Sequence, residues 1–187
     1  MNRYEAAAVA IRAELVLALR EARADFEALP GPTTGPRPIS GMSLDLHIEH
    51  GYAAVSLRTD DEKWEDTHIG DWQHAQFLSS LHDAPDTAIS RLATVVNQLY
   101  SAADKDDVSG LADCRHMLYL VAAEAVLSEE VAIVLNEYGV DAPVFGEELG
   151  SAPFAFFVYD ADGMLTANYC DIVRAHRITA RILRSEV

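Results

Sequence analysis

From Asp60 to His74 the chain reads Asp-Asp-Glu-Lys-Trp-Glu-Asp-Thr-His-Ile-Gly-Asp-Trp-Gln-His, a run that carries two kinds of chemistry. The first is coordination. His68, Asp71 and His74 recur every three residues, and imidazole with carboxylate is a donor set for zinc or a similar divalent ion. With or without a metal, the same three side chains would be the working set of a small hydrolase. That spacing converges only on a single helix, however, and Gly70 interrupts it. The second chemistry is recognition. Trp64 and Trp72, the only two tryptophans, lie among Asp60, Asp61, Glu62, Glu65, Asp66 and Asp71. Aromatic anchors within steering charge suit the capture of a basic protein. The plain alternative is that both tryptophans are core and the acids solvate a loop.

Other groups carry weaker chemistry. His47-Ile48-Glu49-His50 falls on a strand pattern, where the two histidines would point to opposite faces and make no metal pair. His82 and Asp83 could add a further donor to the His68 set. Asp160-Ala161-Asp162-Gly163 begins like a calcium loop but lacks the third acidic ligand and the distal Glu, so a hairpin turn accounts for it. Glu147 and Glu148 would do acid-base work only if burial raised one pKa, which adjacent loop residues seldom achieve. Cys114 and His116, two apart on a helical pattern, diverge around the helix. Cys170 precedes the cap Asp171, where a helix amino terminus would lower a thiol pKa, but a buried thiol is the expectation. Arg174, Arg177, Arg181 and Arg184 form a stripe that would hold a phosphate, meet the acidic face of a second copy, or serve as a solvated face. No catalytic set and no cofactor are expected from these groups.

These residues have to be positioned by elements that the pattern sets out in order. Asn2 with Glu5 forms a capping box, and apolar residues stepping by three and four predict a helix over 2–29, stopped by Pro30-Gly31-Pro32. Four of seven prolines and three of ten glycines fall in 30–41, an extended connection. Leu44, Leu46 and Ile48 alternate with Asp45, His47 and Glu49, and Gly51 precedes a second alternating run to Arg58. A hairpin over 43–58 follows, with a two-residue turn pairing Glu49 with Tyr52. Its apolar face should be buried. Its other face, with Ser43, Asp45, His47, Glu49, Ser56 and Arg58, should be wet. The pattern then predicts a short helix from Trp72 to Leu81, a helix capped by Asp86, another opened by Ser109, and a further one over 131–138 closed by Gly139, for which a strand is the alternative. Phe154 to Tyr159 is apolar on both faces and reads as a central strand turning into a second hairpin over 154–169. Asp171 caps a last helix.

The expected fold is therefore one α+β domain over 1–187, a mainly antiparallel sheet from the two hairpins with a long N-terminal helix and three to five more helices. Half of the 187 residues are hydrophobic, which excludes a composition-driven disordered chain. Two cysteines make no disulfide framework, and no apolar run approaches the roughly 20 residues of a membrane span. A cytoplasmic location is expected. Residues 61–160 hold nineteen Asp and Glu against four Lys and Arg, fifteen of the sixteen net negative charges. Such a field repels nucleic acid and anionic lipid and favours cationic partners. The chain is similar in general character to small acidic bacterial proteins that neutralise toxins, by composition and not by motif. A non-enzymatic binding protein for a basic partner, with a toxin-neutralising immunity protein as its sharpest form, is the leading expectation. The His68, Asp71, His74 hydrolase and a homo-oligomer joining the Arg stripe to the acidic span are the alternatives.

Overall fold

In the computed structural model, residues 3–29, 31, 37–60, 69, 72–81, 84–103, 107–143, 154–160 and 167–185 are described. The N-terminal helical pattern forms α1 (Arg3–Glu21) and, after a break at Ala22, α2 (Arg23–Ala28). Arg37 then fastens the end of the Pro/Gly-rich connection. Its guanidinium donates to Leu29 O at 2.6 Å and Tyr138 O at 2.8 Å, while its amide donates to Gly139 O at 2.7 Å.

The alternating run gives the expected first hairpin, β1 (Ile39–His47) and β2 (Tyr52–Thr59). Its turn is longer than the pattern suggests. A single 3-10 turn, Ile48–His50, leads into Gly51 at φ 63°, so His47 pairs with Tyr52 and Leu44 with Val55. A shift of two residues leaves every side chain on its predicted face. The short helix expected from Trp72 is instead β3 (His74–Ser79), antiparallel to β2. The open edge of β2 offers hydrogen bonds that override local helix preference. A bulge absorbs the misfit, and within it Gln76 takes φ 54°.

Three helices follow, α3 (Ala88–Ser101), α4 (Val108–Val126) and α5 (Glu129–Glu137). Asp107 caps α4, accepting from Gly110 N at 3.0 Å, and Ser128 caps α5. Gly139, at φ 76°, closes α5 as the sequence predicts. With these helices in between, β4 (Ala155–Asp160) returns parallel to β1, since a parallel neighbour needs a long crossover. The sheet order is β3-β2-β1-β4, so β4 is terminal among the described strands and not central. Residues 167 and 168 lead straight into α6 (Tyr169–Ser185), so the second hairpin's return strand does not extend over 167–169. Its earlier part, 161–166, lies outside the described residues.

The fold is α+β as expected, with two antiparallel strand pairs and one parallel pair. One sheet face carries Leu44, Leu46, Val55, Leu57, Phe156 and Val158, all buried. The helices pack there: α3 on β2, and α4 and α6 on β4, with α1 packed against α3, α4 and α5. Among the described residues no helix is long and apolar enough to cross a membrane.

Candidate functional site

The sheet's second face is where sequence and structure differ most. Ser43, Asp45, Ser56 and Arg58, expected to be wet, are all buried. Asp45 accepts from the Ser43 hydroxyl on one oxygen and from Ser56 Oγ at 2.7 Å on the other. Ser56 Oγ in turn accepts the Gln76 amide at 3.0 Å, so the strained bulge in β3 aims its N–H into this network. Arg58 donates to Ser40 Oγ at 2.9 Å, and Ser40 donates to Thr59 O at 3.0 Å. Burial raises the Asp45 pKa, opposed by the two serine hydrogen bonds and by His47. The cover includes aromatics from distant chain. Phe157 pairs with Ser43 and Tyr159 with Asp45 across β1 and β4; the two rings stack, and Trp72 meets Phe157 edge-on at 5.5 Å.

That aromatic contact locates the acidic segment. Asp60, its first residue, is exposed, and its amide donates to Pro38 O at 3.0 Å. Trp72, its last, is only 6% exposed. Just outside these ends Thr59 Oγ1 donates to Gln73 Oε1 at 3.4 Å, closing the base of the connection. Both ends of the segment are thus fixed at the same end of the sheet, where β2 leaves it and β3 enters. Asp61, Glu62, Trp64, Glu65, Asp66, His68 and Asp71 lie outside the described residues. Of the hydrolase set only His74 is described, in the ladder opposite Leu57 with its ring 6.5 Å from Phe77. Among the described residues no three His, Cys, Asp or Glu are grouped to hold a metal ion.

Elsewhere acids of the 61–160 span meet arginines of the flanking segments. Arg12 and Arg20 of α1 reach Glu130 and Glu137 of α5 at 3.5 and 4.0 Å. Arg177 of α6 pairs with Glu124 of α4, and Arg174 with Asp171 at 3.2 Å. Two arginines of the α6 stripe are therefore engaged within the chain. Charge that is segregated along the sequence is partly mixed again by folding.

A second buried carboxylate, Asp160, lies on the helix-covered face and accepts from Tyr119 Oη at 2.7 Å. Tyr119 stacks on Tyr169, whose hydroxyl lies 3.0 Å from His116 Nδ1. Burial, helped by the Asp160 charge, pushes Tyr169 up to about 12, so it serves as a neutral hydrogen-bonding group. Cys114 and Cys170 are buried and unbridged. Burial raises the Cys170 thiol pKa and outweighs its place at the start of α6. Neither Asp45 nor Asp160 lines the cavity of about 440 Å³ formed by Ala8, Val9, Arg12, Glu124 and their neighbours.

Sequence reasoning missed Ser43, Asp45 and Ser56 as a group, although one signal was present. The register that the sequence predicts, Glu49 with Tyr52, already sets the small hydroxyl of Ser56 opposite Asp45, a pairing that suits a covered carboxylate better than a solvated face. No family model, curated protein or solved structure matches this chain.

Proposed function

We propose that the protein is a non-enzymatic acidic binding protein, which captures a basic protein through the connection between Asp60 and Trp72. The observation that carries this reading is the rooting of that connection. Its two ends are fixed at one end of the sheet by the Asp60 amide, the Thr59–Gln73 hydrogen bond and the Trp72–Phe157 contact. A recognition segment on a rigid base loses less entropy on binding than a free one. The contrast with α4 and α5 supports it, because Glu124, Glu130 and Glu137 already meet arginines of the same chain.

The sharper form of the reading is neutralisation of a cationic toxin of the nuclease type. A protein that binds phosphate backbones carries a basic surface, and an acidic cover for that surface would block it. The test is capture by the immobilised chain from native lysate at low ionic strength, followed by a salt gradient. A cationic protein that binds tightly and leaves as salt rises is the expected result. Recovery of no cationic protein would end this reading.

A further inference from the structure

α1 is apolar nearly all the way round, with only Arg12 and Glu14 charged between Ala6 and Leu19. Ala7, Ile11, Leu15 and Ala18 are buried. On the outer side Val9, Ala13 and Leu17 follow one another at four-residue steps and are exposed, Val9 by 53% and Leu17 by 41%. A helix face turned to water is ordinarily polar. The patch continues onto α5. The Arg12–Glu130 and Arg20–Glu137 pairs set the two helices side by side, and Ile133, 43% exposed, falls between the two glutamates at helical neighbour spacing. Three of the six exposed large apolar side chains among the described residues therefore lie on these two neighbouring helices. Beside Val9 the surface dips into the 440 Å³ cavity, where Ala8, Ala125 and Leu127 alternate with the ion pairs Arg12–Glu130 and Arg177–Glu124.

We infer that this face is covered by a second copy of the chain, with the two α1 helices antiparallel about a twofold axis at Ala13. A twofold interface must be complementary to itself, and the spacing meets that condition. Ala13 faces Ala13, where the small side chain lets the backbones approach. Leu17 of one protomer lies over the hollow beside Val9 of its partner. Arg20 of each comes to the partner's first turn, which carries Glu5. A parallel pair would set Arg20 against Arg20 and Glu5 against Glu5. The rim of Arg12, Arg20, Glu130 and Glu137 is balanced in sign, so it suits a copy of itself better than a strongly charged partner. This inference is independent of the role proposed for residues 60–72.

Sedimentation equilibrium and cysteine cross-linking test it on the full chain. The wild type is expected at twice the chain mass at high concentration and at monomer mass on dilution, and Leu17→Glu is expected to stay monomeric with an unchanged circular dichroism spectrum. Both native cysteines are buried, so Ala13→Cys reports on the axis alone. Under mild oxidation it should form a disulfide-linked dimer roughly tenfold or more faster than Ala112→Cys, an exposed control on α4. Arg20→Glu should weaken the dimer and Glu5→Arg added to it should restore it. A wild-type monomer at the highest attainable concentration, or Ala13→Cys cross-linking no faster than the control, would overturn the proposal. Failure of the charge swap to rescue would overturn the antiparallel register.

Discussion

Two acid-rich stretches of this chain meet different surroundings. On α4 and α5, Glu124, Glu130 and Glu137 project beside helices that bring Arg177, Arg12 and Arg20 to them. The connection from Asp60 to Trp72 is rooted instead on a sheet face whose own carboxylate, Asp45, is already satisfied by Ser43 and Ser56. The difference teaches that local charge in a sequence is not yet a surface field, because folding decides which acids are compensated. Glu124, Glu130 and Glu137 already meet arginines of the same chain, whereas the function proposed above assigns the acids of the connection to a partner.

Four perturbations break or sharpen that contrast. The largest effect is expected from Trp72→Ala, which removes the ring packed on Phe157 and should cost about 3–5 kcal/mol in urea unfolding. A loss under about 1 kcal/mol would show that the tryptophan is not part of the base. Replacing the acids of the connection together, Asp61→Asn, Glu62→Gln, Glu65→Gln and Asp66→Asn, should leave stability nearly unchanged. It should slow low-salt association with a captured basic partner by about 10- to 100-fold, as seen in stopped-flow mixing. Asp45→Ala strands two buried hydroxyls and should cost about 1–3 kcal/mol. On α5, Glu130→Gln with Glu137→Gln removes only exposed pairs, so the expected change is below about 1 kcal/mol with no change in partner association.

Asp45 also gives a pH signature. Its pKa is raised in the folded state, so the native protein holds that proton more tightly than the unfolded chain does. This contribution to stability is fully present below the ordinary value of 3.8 and is lost as pH rises through the raised folded value. Asp45→Asn should remove that part of the pH dependence, as unfolding titrations from about pH 4 to pH 7 would record.

Much of this was legible in residue order. Gly139 and the alternation around Gly51 marked the end of α5 and the first hairpin through local rules of capping and turn geometry. Long-range pairing was not legible. Nothing in His74 to Ser79 announces that β2 has an open edge, and nothing in Ser43 or Asp45 announces Phe157 and Tyr159, which arrive from the far end of the chain. The acidic connection could be located from sequence because charge and tryptophan are concentrated there. That Trp72 turns inward could not, since an anchor and a packing residue are the same residue type until Phe157 lies beside it.

The central claim is tested most directly by the association rate of the captured basic partner as ionic strength rises, measured for wild type, for the neutralised connection and for the α5 variant. The account predicts that the wild-type and α5 curves fall steeply together, while the connection variant starts low and stays flat. Equal salt dependence in the connection variant and the wild type would contradict it.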